Sequence, residues 1–272
     1  MECEKAVVSG DISMACGHCA AVCPVDAISV NAIDKESSRF ATFTADDKWL
    51  PYGEYDTVQL VRLVGSRRSC RHYTDRPVDR ALLDDLVKIG ITAPSGTNSQ
   101  LWTFTILPTR KSVLNLGKGV AAFFKKLNRT SENRYLRYFL KLIGKPELDT
   151  YFREYHDSVE EALAEWENSD VDRLFHGATA VIVIGSKPGA SCPGEDALLA
   201  TQNILLAAHS MGLGTCPIGF AVQAMKRDIT IKRFLGIPDD EKVYSVIALG
   251  YPDEKYQRIA GRKKYTQRYY EA

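Results

Sequence analysis

The chain has 272 residues, with 35 lysines and arginines against 34 acids and a net charge of +1. That length can bury a substantial core without disulfide staples, and the near-neutral balance leaves no electrostatic footprint for nucleic acid. No apolar run reaches the roughly 20 residues of a membrane span, and Met1-Glu-Cys-Glu-Lys5 lacks the apolar core of a signal peptide. Four of the seven cysteines fall in the first 23 residues. Such clustering points to metal or redox use in a reducing compartment, not to a disulfide framework. A cytoplasmic protein is expected, with neither nucleic acid nor membrane as a partner.

Cys16-Gly-His-Cys19-Ala-Ala-Val-Cys23-Pro24 has the spacing C-x2-C-x3-C-P. It resembles the last three cysteines of a bacterial ferredoxin half, and Val25-Asp-Ala-Ile28 extends the resemblance. Ser13 stands where the first cysteine of that run belongs, and the companion half that precedes it in ferredoxins is absent. Cys3 is the remaining cysteine nearby. The resemblance therefore implies Cys3, Cys16, Cys19 and Cys23 as the candidate ligands of a [4Fe–4S] cluster. The incomplete set favours a packed arm that has lost its cluster, and a zinc site is a third reading. Residues 31–55 read as a linker, with polar Asp34–Arg39 and a turn at Pro51-Tyr-Gly53.

A helix is expected from Thr57 to Val64, with Val58, Val61 and Val64 at helical spacing and Gly65 ending it. Arg67-Arg68-Ser69-Cys70-Arg71 follows. The planar fork of Arg and the short donor of Ser suit phosphate oxygens, although basic residues at a helix end also occur as plain solvated surface. In an extended segment, Arg67, Ser69 and Arg71 would point one way and Arg68 elsewhere. A second helix is expected over Asp79–Gly90 on the stripe Leu82, Leu83, Leu86, Val87. Ala93–Gln100 is a loop of small and polar residues, and Trp102, Phe104 and Ile106 alternate as a strand, with Trp102 in the core.

Residues 109–175 read as helical, basic over Lys118–Lys145 and acidic over Glu147–Asp172. Two amphipathic helices with complementary polar faces would account for this. So would a lid over an active site, its basic face docking an anionic cosubstrate or an acidic redox protein. Thr179–Gly185 is a buried strand. Glu195–Met211 is a helix apolar almost all the way round, which must be covered by core or by a dimer interface. A helix over Val222–Phe234, a strand over Val243–Leu249 and a basic, tyrosine-rich tail from Arg258 complete the chain.

Four stretches, Arg67–Arg71, Ala93–Trp102, Gly212–Phe220 and Gly261–Lys264, in this order and at these distances, resemble the FMN-dependent nitroreductase family. The resemblance runs from Asp56 to the C-terminus. It implies an α+β fold, with a central, mainly antiparallel sheet surrounded by helices, in an intertwined homodimer with two FMN sites. The domain division would be a partial ferredoxin-like arm over 1–30, a linker over 31–55 and an FMN domain over 56–272. By the same resemblance, Arg67, Ser69 and Arg71 hold the FMN phosphate, with Arg262 and Lys264 as a second basic pair. Pro94, Ser95, Gly96 and Asn98 reach the flavin from the other subunit. Pro217, Ile218 and Gly219 lie against the ring, with Gly212 as a helix C-cap before them. Two departures stand out: Leu101 replaces a proline, and no acid lies between Ile218 and Gly219.

The activity implied is reduction of a small aromatic, nitro or quinone-like acceptor in a ping-pong cycle. The donor is NAD(P)H, or a redox protein if the arm delivers electrons. No catalytic side chain is assigned, because the chemistry belongs to flavin N5. Cys70 and Cys216 read as small packed residues. A flavin-binding sensor or storage protein without turnover is the competing class, and a cavity open above the ring would decide against it.

Overall fold

The computed structural model describes residues 13–271. The expected ligand Cys3 lies outside the described residues. Four strands, β1 (Trp102–Leu107), β2 (Ala180–Ser186), β3 (Gly214–Pro217) and β4 (Lys242–Gly250), form one sheet in the order β1-β2-β4-β3. Every neighbouring pair is antiparallel, with Val183 set between Thr105 and Val246. This is the α+β architecture expected.

The central pair explains its own sequence. β2 is buried along its whole length, so it reads as an unbroken Val/Ile run, not as an alternation. Its side chains still divide by parity. Val181 and Val183 pack with α4 (Arg110–Ser131) and α9 (Gly219–Arg227) on one face. Ala180, Ile182 and Ile184 pack with α3 (Arg80–Gly90) and α8 (Pro193–Ser210) on the other. A bulge falls between Ile184 and Gly185. A Cβ on Gly185 would lie 2.7 Å from the Lys242 carbonyl oxygen, so the strand takes glycine there.

Side-chain caps set several helix starts. Asp56 caps α2 (Thr57–Ser66) by accepting from the Val58 and Gln59 amides, and Asp79 caps α3 through Ala81. Thr109 and Ser112 form a capping box at α4. The remaining helices are α1 (His18–Ala21), α5 (Arg134–Leu142), α6 (Glu147–Glu154), α7 (His156–Ser169) and α10 (Ile229–Phe234). Among the described residues, no helix is long and apolar enough to cross a membrane.

Two expectations are corrected, and one strand is added. The region read as two helices over 109–175 holds four, α4 to α7, because Asn133 caps a new start and Gly144 turns left-handed at φ +76 before Pro146. The single helix expected over Val222–Phe234 is α9 and α10. They are separated at Asp228, which is extended and caps α10 through the Thr230 amide. The stretch Gly214–Pro217 contains an edge strand, and an edge is where a sheet tolerates proline.

The linker is tied to the body by one buried acid. Asp85, fully buried on α3, accepts from the Ala41 amide at 2.9 Å, the Thr42 amide at 2.8 Å and the Thr42 hydroxyl at 2.7 Å. Burial alone would raise its pKa. The Thr42 hydroxyl and the two amides outweigh burial and hold the carboxyl below its ordinary value.

Candidate functional site: a cation cluster beside an aromatic cavity

The segment after α2 runs along the outer edge of β3. Ser69 pairs with Thr215 in a parallel bridge, and the Cys70 amide donates to the Thr215 carbonyl at 2.9 Å. Tyr73 pins the segment through its hydroxyl to the Cys70 carbonyl at 2.9 Å. Cys70 is buried against Gly214, Arg67 and Ser69 are half-buried, and Arg68 and Arg71 are exposed. Burial pushes the Cys70 and Cys216 thiols up, so both are packed thiols and not thiolates.

The tail returns to this edge. Ile259 lies against Gly65, where an added Cβ would sit 3.2 Å from it. Arg262 is brought within electrostatic reach of Arg67. Burial, then the charges of Arg262 and Arg68, lower the Arg67 pKa. Among the described residues, no carboxylate forms an ion pair with Arg67, Arg68, Arg71, Arg262 or Lys264. Glu254 is the carboxylate at hand: it accepts from the Arg71 backbone amide at 3.4 Å and lies 3.9 Å from the His72 imidazole. Like charges gathered in this way repel one another and attract an anion. Lys264 itself is exposed on the tail and makes no hydrogen bond among the described residues.

Beside the cluster lies a cavity of about 1050 Å³. Arg71, Cys216, Pro217, Ile218 and Gly219 line one side. The chain reaches that wall from the left-handed Gly212, φ +79, which ends α8 as expected. Ile218 is buried and fixed by its amide to the Val246 carbonyl at 2.8 Å, and Gly219 opens α9. A Cβ on Gly219 would meet no protein atom within 4 Å, and its φ is not left-handed. Neither packing nor backbone demands glycine there, so the space it leaves is open to a ligand.

The opposite wall is aromatic. Phe124 of α4 meets Phe220 edge-on at 5.3 Å and stacks with Tyr151 of α6 at 6.3 Å, while Tyr155 meets Phe220 at 5.8 Å. Flat apolar ligands suit such a surface. Asn128 holds this wall together. Its side-chain oxygen accepts from the Tyr151 hydroxyl, and its amide donates to the His156 carbonyl at 3.2 Å, joining α4, α6 and α7. Replacing Asn128 with alanine removes the partner of the half-buried Tyr151 hydroxyl and the side-chain donor to the His156 carbonyl. It is expected to cost about 1–3 kcal/mol of stability, read as a lower urea midpoint with an unchanged slope.

The wall residues Phe124, Tyr151 and His176 carry no motif, and Phe220 closes the Gly212–Phe220 stretch with no role assigned from it, so sequence reasoning missed all four. The signal available was the apolar spacing of Tyr151 and Tyr155. Burial, then the charge of Arg71, lowers the His176 pKa, so this imidazole faces the cavity neutral at pH 7.

The loop holding Pro94, Ser95, Gly96 and Asn98 lies elsewhere. It precedes β1, the edge strand opposite β3, roughly 14 Å away by strand spacing. The Gly96 amide donates to Asp196 at 2.9 Å at the start of α8, and Ser95 accepts from the Gln100 amide at 3.1 Å. Asn98 donates to the Met14 carbonyl at 2.8 Å and accepts from the Gln100 side chain at 2.7 Å. A single chain does not bring this loop to the cation cluster. Trp102, expected in the core, is half-buried because β1 is an edge strand, and its indole N–H is a buried donor without a partner among the described residues.

With the edge segment, the glycine-bearing wall and the four-stranded order in place, comparison with known proteins decides the family. The sequence pattern of the Nitroreductase family matches residues 64–251. The chain belongs to the nitroreductase family. A 4-nitrobenzoate reductase of Pseudomonas putida is 27% identical over 205 residues, covering 71% of this chain and 85% of that protein. Two crystal structures of nitroreductases with bound FMN share the fold. The one from Bacteroides fragilis has TM-score 0.55 at 22% identity, covering 76% of this chain and 95% of that one. The one from Desulfitobacterium hafniense has TM-score 0.54 at 20% identity, covering 76% and 97%. In this nitroreductase, the family match begins seven residues into α2 and ends just beyond β4, leaving the cysteine-bearing arm and the tail outside it.

Proposed function

We propose that this nitroreductase binds FMN and, as a cytoplasmic homodimer, reduces small aromatic, nitro or quinone-like acceptors with NAD(P)H as electron donor. The observation that carries the reading is the gathering of Arg67, Arg68 and Arg262, none of them in an ion pair among the described residues, next to Arg71 in the wall of an open cavity. FMN brings a dianionic phosphate and a flat ring, and these residues fit both. Arg67, Ser69 and Arg71 hold the phosphate by charge-assisted hydrogen bonds. Arg262 supplements them from the tail, with Lys264 beside it. Pro217, Ile218 and Gly219 form the face against which the ring lies. When bound, the flavin supplies the electron storage and transfer, and the chain positions it and excludes water. The Phe124–Tyr151–Phe220 wall stacks on the acceptor, and the volume of the cavity favours turnover over a storage or sensor role.

Two observations support the homodimer. Pro94, Ser95, Gly96 and Asn98 sit at the sheet edge opposite the cation cluster, so they reach a flavin only on a second chain. Val58, Val61 and Val64 on α2 and Leu198 and Leu199 on α8 are exposed, as surfaces awaiting a partner are. The domain division that goes with this reading is 1–30 arm, 31–55 linker and 56–272 FMN domain.

A second reading of the donor rests on the arm. Asn98 grips Met14, two residues before Cys16, so the three-cysteine run is anchored to the loop assigned to the flavin. The Cys23 sulfur accepts the Ala27 amide at 3.2 Å, and the Ala27 and Val25 amides lower its pKa, which favours the thiolate that a cluster needs. In that case, Cys16, Cys19 and Cys23, with Cys3, would hold an iron–sulfur cluster, and the cluster would supply the flavin's electrons.

The visible spectrum of the purified protein tests both. A flavin double band that bleaches on anaerobic NADH or NADPH, with turnover of menadione or nitrofurazone, is the expected result. A band that stays until an iron–sulfur donor is supplied, with iron and labile sulfide in the protein, moves the donor to the arm. A protein that cannot be loaded with FMN ends the proposal.

A further inference from the structure

Helix α5 presents its apolar side outward. Tyr135, Tyr138, Phe139 and Leu142 are 80%, 67%, 58% and 67% exposed. Their spacing, i, i+3, i+4 and i+7, makes one stripe along the helix, and Ile143 continues it. The inward face is Leu136, Leu140 and Arg137. The Arg137 guanidinium lies 3.6 Å above the Phe152 ring and 3.6 Å from Asp149. Leaving large side chains in water along a whole helix face costs free energy at each one. Such a patch rimmed by charge marks an interaction surface.

The charge pattern selects the occupant. Residues 133–146 contain Arg134, Arg137, Lys141 and Lys145 and no carboxylate. Arg137 is turned inward, and Lys141 shares Asp149 at 3.8 Å. Among the described residues, Arg134 and Lys145 pair with no carboxylate. A two-fold contact of this stripe with a second copy would set the same cations face to face. An anionic lipid surface meets both features at once. Tyr135 and Tyr138 have rings that suit the headgroup level, Phe139 and Leu142 reach the acyl boundary, and the cations face the lipid phosphates. Lying at an interface needs no spanning segment.

The same segment reaches the cavity. Leu140, Lys145 and Pro146 line it, and Gly144 turns the chain between stripe and mouth. We propose that α5 docks the protein reversibly on anionic membranes, stripe down, with the cavity mouth turned toward the lipid. Docking stands independently of the flavin. The corollary that the acceptor is a lipid-soluble quinone entering from the bilayer rests on the proposed flavin activity.

Sedimentation of the full-length protein with vesicles of phosphatidylcholine alone, and of phosphatidylcholine with phosphatidylglycerol, reads docking without reference to activity. Binding to the anionic vesicles that weakens with added salt is expected. The double variant Tyr138→Asp, Phe139→Asp should bind about tenfold more weakly or worse. Its flavin content and its turnover of a water-soluble acceptor should not change, since neither residue lines the cavity. Arg134→Ser should weaken binding to anionic vesicles alone. Failure of the unaltered protein to sediment with anionic vesicles overturns the proposal, and so does equal binding by the stripe variant. A stripe variant that changes the oligomeric state, with no vesicle binding by either protein, also overturns it and assigns the stripe to a second copy. Absence of flavin in the purified protein would sink the proposed activity and leave the vesicle result readable.

Discussion

Replacing Arg67 and Arg71 together with alanine is expected to lower FMN affinity by about two to four orders of magnitude. Each hydrogen bond between a charged donor and a phosphate contributes about 1.5–3 kcal/mol, and every 1.4 kcal/mol is tenfold in Kd. The same change should leave the flavin-free protein at least as stable as before. Arg67 is half-buried beside Arg262 and Arg68, and burial, then their charges, lower its pKa, so its removal relieves both desolvation and repulsion. A binding site that stores repulsion for a ligand shows this opposition of stability and function. Titration of FMN by fluorescence quenching, with a thermal melt of the flavin-free protein, checks both arms. Loss of affinity with a large drop in melting temperature would mean that the arginines hold the edge segment together and do not hold a phosphate. Retained affinity would remove the cluster from the site.

Much of this was legible from local chemistry. The extended course of Arg67, Ser69 and Arg71 could be read from their spacing of two, and the structure supplies the strand edge that extends it. The apolar spacing of Val58, Val61 and Val64 and of Leu82, Leu83, Leu86 and Val87 announced α2 and α3. What was not legible depends on contacts distant in sequence. β3 is four residues long and ends in proline, so no pattern marks it, and only pairing with β4 makes it a strand. Asp85 sits beside the apolar stripe of α3 and looks like solvated polarity. It is buried because Ala41 and Thr42 come to it. Arg262 carries no local sign of function. Its place beside Arg67 is set by the path of the tail, for which the family resemblance was the sole guide. The residues of α5 were read for charge, which hid the exposed stripe that now distinguishes that helix.

The placement at opposite sheet edges of the two sets proposed to bind the flavin leads to a complementation result with a large expected effect. A chain carrying Arg67→Ala and Arg71→Ala lacks the cation cluster. A chain carrying Ser95→Ala and Asn98→Ala lacks the loop contacts. Each homodimer should be flavin-poor, because every one of its sites is damaged. In a mixed dimer, one composite site takes its cluster from the first chain and its loop from the second, and so collects both lesions. The other takes the intact cluster and the intact loop. Co-expression with two affinity tags and sequential purification isolates the mixed dimer, and its expected flavin content is one FMN per dimer at native affinity. If each site were built within one chain, the mixed dimer would hold two singly damaged sites and recover nothing. The distinction does not depend on how severe each lesion is, provided the homodimers are depleted. Because Asn98 also grips Met14, Ser95→Ala alone serves as the second chain if the arm detaches. Recovery with that chain traces the effect to the flavin and not to the arm.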